Sequence, residues 1–250
     1  MRLPFIRRIY YGWARPHPFD AAHGIDTSGS VSAAECAPEA AMAAQISPYG
    51  GSQPSIVRAG IASLPDHDRY TFVDLGCGKG RPLMVASEFP FRQLIGVEIA
   101  PALVEVARCN AAVLAKRYPR RTAIEIDVGD ATEVSCPAER VVYFTYHPFG
   151  RALVNALVGN IERQLAHGLQ HAFFVYYNPV HGDVLDRSPH FSRWRAETIP
   201  YGANELGFGP DLSDTLVIWQ TAPEEYRPQS GANRRIVVHE SEWSGLADSP

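Results

Sequence analysis

Val73-Asp74-Leu75-Gly76-Cys77-Gly78-Lys79-Gly80 decides the fold. The apolar run Tyr70 to Leu75 before it reads as a buried strand. The stretch Arg81 to Phe89 after it reads as a helix, with Pro82 confined to the first turn. Alternate glycines between a strand and a helix let the backbone turn tightly and let a ligand approach without Cβ clashes. In an open α/β sheet, ligands bind there, beyond the carboxyl end of the strand. The glycines run GxGxG. A dinucleotide loop wants a third glycine or alanine where Arg81 stands, and no GK[ST] string offers a triphosphate site.

The pattern continues outward on the C-terminal side. Gln93 to Val97 is a second strand and ends at Glu98, an acid placed to accept from both ribose hydroxyls of a nucleoside. Pro101 opens a helix with Leu103, Ala107, Ala111 and Leu114 on one face. Ala123 to Val128 is a third strand, followed by Asp130, a carboxylate within reach of an adenine amino group. Val141–Tyr146 and Ala172–Tyr177 flank the helix Arg151–Ala166. Arg193–Ile199 and Thr215–Thr221 form an antiparallel closing pair. The expectation is an α/β, Rossmann-like, seven-stranded, mostly parallel sheet with an antiparallel C-terminal hairpin and helices on both faces. Glycine loop, acid, acid at consecutive strand ends point to a nucleoside ligand.

Composition narrows the rest. The chain has 250 residues, a formal charge of −4, 46% hydrophobic and 20% charged residues. These are ordinary globular values, against wholesale disorder and against a nucleic-acid binder held by bulk charge. No apolar run approaches the roughly 20 residues of a membrane-spanning helix. The cysteines (Cys36, Cys77, Cys109, Cys136) form no CxxC pair and fit reduced thiols in a cytoplasmic protein. We expect three segments: an extension over 1–69, the binding domain over 70–222, and a mobile tail over 223–250, within which Arg234 to His239 can add a strand. The first 15 residues mix Arg2, Arg7, Arg8 and Arg15 with Leu3, Phe5, Ile6, Ile9, Tyr10 and Trp13. They read as a short helix lying on the domain or on an anionic membrane surface. Residues 33–46 are Ala-rich and read as helical, as do 55–64.

The set DLGCGKG, GVEIA and GDAT resembles the class I S-adenosylmethionine-dependent methyltransferases over about residues 70 to 180. The resemblance implies S-adenosyl-L-methionine as cofactor and a seven-stranded sheet. It implies that Asp74, Gly76, Cys77, Gly78 and Gly80 hold the methionine part. It implies that Glu98 with Ile99 holds the ribose, that Asp130 and Ala131 border the adenine, and that Tyr146 closes the pocket. DLGCGKGRPLMVA, FDAAHGIDTSG, YHPFG and YYNP also resemble a bacterial subgroup known mostly as methyltransferases. That resemblance supplies no acceptor.

Tyr146-His147-Pro148-Phe149-Gly150 stands where such enzymes place acceptor-side residues. His147 replaces the Asn or Asp of the amino-group methyltransferases and is a candidate general base, with Tyr146 beside it. Tyr177 and Asn178-Pro179 fall at the same sheet end. The Gly-, Asp-, Thr- and Ser-dense segments around Asp20, Asp26 to Ser28 and Tyr49 read as a lid. His167 and His171, at i and i+4, read as surface histidines, and no metal set is expected. The acceptor stays open: a small molecule, a protein side chain or a lipid-linked compound, with bulk nucleic acid not expected. Two other readings compete: a catalytically inactive partner subunit and a nicotinamide-dependent oxidoreductase.

Overall fold

The computed structural model describes residues 16–37, 39–135, 138–209, 211–234 and 238. The expected N-terminal helix, Cys136 and most of the strand proposed for 234–239 lie outside them.

Seven strands form one sheet: β3 (Thr71–Leu75), β4 (Gln93–Glu98), β5 (Ile124–Val128), β6 (Arg140–Tyr146), β7 (His171–Tyr177), β8 (Ser192–Pro200) and β9 (Ser213–Gln220). Their order is β5-β4-β3-β6-β7-β9-β8. The first five run parallel, with Asp74 level with Gly96 and with Phe144. β9 is antiparallel to both β7 and β8, which gives the expected hairpin edge. The chain reverses direction across the sheet between β4 and β6, so the loops after β3 and β6 open beside one another.

Strand residues alternate between two apolar layers, as the pleat demands. Phe72, Leu94, Val142, Phe144, Phe173 and Leu216 face α4 (Pro54–Ala62), α5 (Arg81–Ala86) and α6 (Pro101–Arg117). Val73, Leu75, Tyr143, Phe174 and Trp219 face α7 (Arg151–Leu165) and α8 (Asp183–Arg187). The helices therefore cover both faces. β5 is an edge strand, and only Ile126 of its residues is buried.

Before β3 the chain is built from short pieces. α1 (Pro18–His23) starts on the His17 side chain, which accepts from Phe19 N, and ends at Gly24 in the left-handed region. The Ala-rich stretch is two single-turn helices, α2 (Ala33–Cys36) and α3 (Ala40–Ala43), rather than the one helix expected over 33–46. Ser32 and Glu35 form a capping box that fixes the first. β1 (Ser30–Val31) and β2 (Tyr49–Gly50) pair antiparallel beside the main sheet.

One expectation is corrected. His171 is no surface residue: it opens β7 and is fully buried, hydrogen-bonded through Nδ1 to the Tyr70 hydroxyl at 3.2 Å. The helix ends at Leu165, so the i, i+4 spacing with exposed His167 carries no helical meaning. Described residues after β9 contact the domain. Glu225 pairs with Arg140 at 2.8 Å, Gln229 N donates to Trp194 O at 2.8 Å, and Tyr226 packs on the core.

Candidate active site

The loop after β3 is held to β4 by Gly76 N and Cys77 N, which both donate to Val97 O at 2.9 and 3.1 Å. Gly76, Gly78 and Gly80 have φ of 76, 53 and 84°, a region that L side chains adopt at a cost. At Gly78 a Cβ would also fall 2.3 Å from Tyr49 Cε2, so glycine is required there twice over. Gly80 acts in packing instead: it precedes α5 and lies against Met84 and Ala107, and it does not line the cleft described next.

A cleft of about 1160 Å³, part of it open to solvent, lies over the carboxyl ends of β3, β4, β5 and β6. That is the position of a small-molecule site in such a sheet. Asp74, Gly76, Cys77, Gly78, Glu98, Ile99, Asp130, Ala131, Tyr146 and His147 all line it.

Among the described residues, no cation pairs with the acids in it. Glu98 is buried and accepts from Gly78 N and Ala100 N, each at 2.9 Å. Burial raises its carboxyl pKa against the pull of those donors. Asp74 is buried deeper still, and its Oδ2 has no hydrogen-bond partner. Burial first, and then the Glu98 charge, push its pKa well above the carboxylate range. Burial also raises the Cys77 thiol, which leaves it protonated and unreactive. Asp130 heads a single 3-10 turn: its Oδ1 accepts from Thr132 N and Oγ1, both at 2.8 Å.

At the end of β6, Tyr146 lies against Tyr177, ring centroids 4.2 Å apart. The hydroxyls of Tyr177 and Tyr201 both donate to Asp214 Oδ2, at 2.8 and 2.7 Å, and burial raises that carboxyl. His147 sits at φ 38° and Asn178 at φ 50°, strained turns at adjacent strand ends. Both line the cleft. Burial and then the nearby His181 lower the His147 imidazole to about 4. Its Nδ1 is buried without a hydrogen-bond partner.

The N-terminal segment is tied to both sides of the cleft. On the glycine side, Arg81 is buried and donates through Nε to Thr27 Oγ1 (2.6 Å), Nη1 to Ser52 O (2.9 Å) and Nη2 to Thr27 O (2.8 Å). Asp20, also buried, lies 3.7 Å from this guanidinium and accepts from Thr27 N, Thr27 Oγ1 and Ser28 Oγ. Lys79 Nζ bonds Asp26 and Ser28 O, and Tyr49 Oη donates to Thr27 O. On the other side, Ser47 N donates to Pro148 O (2.9 Å) and Gly150 N to Gln45 O (2.6 Å), with Ile46 bridged to Phe149. Residues 45–52 thus form a strap whose members Ile46 to Ser52 line the cleft.

The sequence pattern placed Asp20 in a lid but missed Arg81 as its anchor, along with the roof residues Cys36, Met42 and Ile46. Arg81 carried one signal, a cation set directly against a glycine loop. The others carried none.

No protein-family description matches the chain, and no curated protein does. Solved structures do resemble it. The magnesium protoporphyrin IX methyltransferase of Synechocystis PCC 6803, crystallised with bound SAM, aligns over 67% of this chain and 77% of its own, at 13% identity and TM-score 0.48. TrmN from Thermus thermophilus aligns over 67% of this chain and 48% of its own, at 15% identity and TM-score 0.48. The tRNA (uracil-54, C5)-methyltransferase of Pyrococcus abyssi, in complex with S-adenosyl-L-homocysteine, aligns over 66% of this chain and 37% of its own, at 18% identity and TM-score 0.46. The likeness is one of chain course. The fold assignment rests on the strand order itself, and no residue's role is taken from these structures.

Proposed function

We propose that the cleft binds S-adenosylmethionine and that the protein transfers its methyl group to an acceptor entering beside Tyr146 and His147. The observation that carries this is the set at three consecutive strand ends: a left-handed glycine loop, then Glu98, then Asp130, all around one cleft. The charge balance supports it. Asp74 and Glu98 lie buried in the cleft without a cation, while Arg81 is taken up by Asp20 and backbone carbonyls. A ligand bearing positive charge and hydroxyl donors satisfies both acids.

The roles follow from position. Asp74 Oδ2 accepts from the ligand's ammonium group. Glu98 keeps lone pairs for the ribose hydroxyls while its two backbone donors hold it in place. Asp130 and Ala131 border the base. When bound, the cofactor supplies a sulfonium methyl already activated for transfer, so the protein contributes alignment. His147 is neutral at physiological pH and accepts a hydrogen bond from the acceptor; with its imidazole at about 4 it is a weak base. Residues 45–52 act as a lid that excludes water, since they bridge both walls of the cleft.

Calorimetric titration with S-adenosylmethionine, S-adenosylhomocysteine and NAD tests the reading. The expected result is binding of the first two and not the third. Binding of NAD alone refutes it and returns the protein to the oxidoreductases.

A further inference from the structure

We propose that the outer end of α6 is a docking face for an anionic lipid bilayer. The tract Lys116-Arg117-Tyr118-Pro119-Arg120-Arg121 ends that helix and turns toward β5. Lys116, Arg117 and Arg120 are exposed. Arg117 and Arg121 both lie over the Tyr118 ring, 5.7 and 3.9 Å from its centre, so one ring gathers two like charges.

Among the described residues, none of these four cations meets a carboxylate. Arginines elsewhere do: Arg58 with Glu88, Arg140 with Glu225, Arg151 with Asp183, Arg193 with Asp186 and Arg195 with Glu197. In a chain of net charge −4, one bare basic cluster is a choice of place. The helix dipole accounts for Lys116 and Arg117 in the last turn. It does not account for Arg120 and Arg121, which lie beyond the helix end. The acids nearby are Glu125 and Asp127 on β5, and Glu105, which is paired with Arg108 on α6 itself.

One observation favours a bilayer over a nucleic acid. The outward face of α6 continues from the cations through Ala112 and Val113, the latter 39% exposed, so apolar surface adjoins the charge. Apolar contact suits the lipid interface and does nothing for a phosphodiester backbone. The face lies at the far end of α6, about 25 Å from the cleft by helix rise, so docking leaves the cleft accessible. The inference does not depend on what the cleft binds.

Co-sedimentation of the full chain with phosphatidylcholine vesicles, with and without phosphatidylglycerol, at low and high salt, tests the proposal. Binding is expected only to the anionic vesicles, and it weakens with salt. Each basic residue near the surface is worth about fivefold in partition, so Lys116→Gln/Arg117→Gln/Arg120→Gln lowers it on the order of a hundredfold. A second variant, Val113→Ser, leaves the charges intact and lowers binding by a smaller factor. No binding to anionic vesicles overturns the proposal. So does unchanged binding by the triple variant, or tighter binding of the wild type to duplex RNA at the same salt.

Discussion

Replacing His171 with asparagine isolates one buried proton site. Asparagine keeps an acceptor for the Tyr70 hydroxyl and removes the titration. In the folded protein, burial holds the His171 imidazole at about 4, against an ordinary 6.5. The neutral form is the one the core accepts. The unfolded chain therefore binds the extra proton first as pH falls, and stability is lost between about 6.5 and 4. The full interval of 2.5 pH units corresponds to about 3.4 kcal/mol, which sets an upper bound. Down to pH 4.5, still above the folded value, the expected loss is about 2.5 kcal/mol. The other shifted groups, His17 and His147 in the same sense and Asp74, Glu98 and Asp214 in the opposite sense, are common to both proteins and cancel in the difference. At neutral pH the variant is less stable by about 1 kcal/mol, because a smaller side chain fills the site. Urea unfolding, followed by the fluorescence of buried Trp194 and Trp219, measures both proteins from pH 7.5 down to 4.5. The two stability curves should converge and cross. Parallel curves would refute the reasoning, for they would mean that His171 titrates alike folded and unfolded.

Two predictions concern the N-terminal segment. Arg81→Met strands the buried Asp20 carboxylate and should cost about 3 to 5 kcal/mol in urea unfolding; a loss under about 1 kcal/mol would remove Arg81 as the anchor. Ile46 and Phe149 form a bridge with hydrogen bonds on both flanks, the narrow type of antiparallel pair, whose Cα atoms lie about 4.5 Å apart. A disulfide joining these two positions, made as Ile46→Cys/Phe149→Cys, fits that spacing. Oxidised, the double variant should exchange S-adenosylhomocysteine at least about tenfold more slowly than the same protein reduced; equal rates would make residues 45–52 a fixed wall.

Most of the sheet was legible because parallel strands are buried on both faces and read as continuous apolar runs. Thr71–Leu75, Arg140–Tyr146 and His171–Tyr177 show this directly. Glycine loop, Glu98 and Asp130 were legible as a group because each follows a strand end, and parallel strands bring their ends together. The roof was not legible. Arg81 meets Thr27 across 54 positions and Ser55 meets Glu205 across 150, and no local pattern encodes such pairs. The Ala-rich segment misled because composition favours helix while the strap must bend to reach both cleft walls. His171 misled because a histidine opening a strand reads as polar surface, while its burial depends on Tyr70, 101 positions away.

The strap has a consequence for the order of events during synthesis. Residues 17–53 leave the ribosome before their partners do: the glycine loop at 76–81, the turn at 148–150 and, by way of Ser55, Glu205. Until those appear, the Asp20 carboxylate has only Thr27 and Ser28 to bond, and Thr27 only Asp20 and Tyr49. This early segment is thus the last to dock, and the cleft stands open in the nascent protein until the turn at 148–150 has been made.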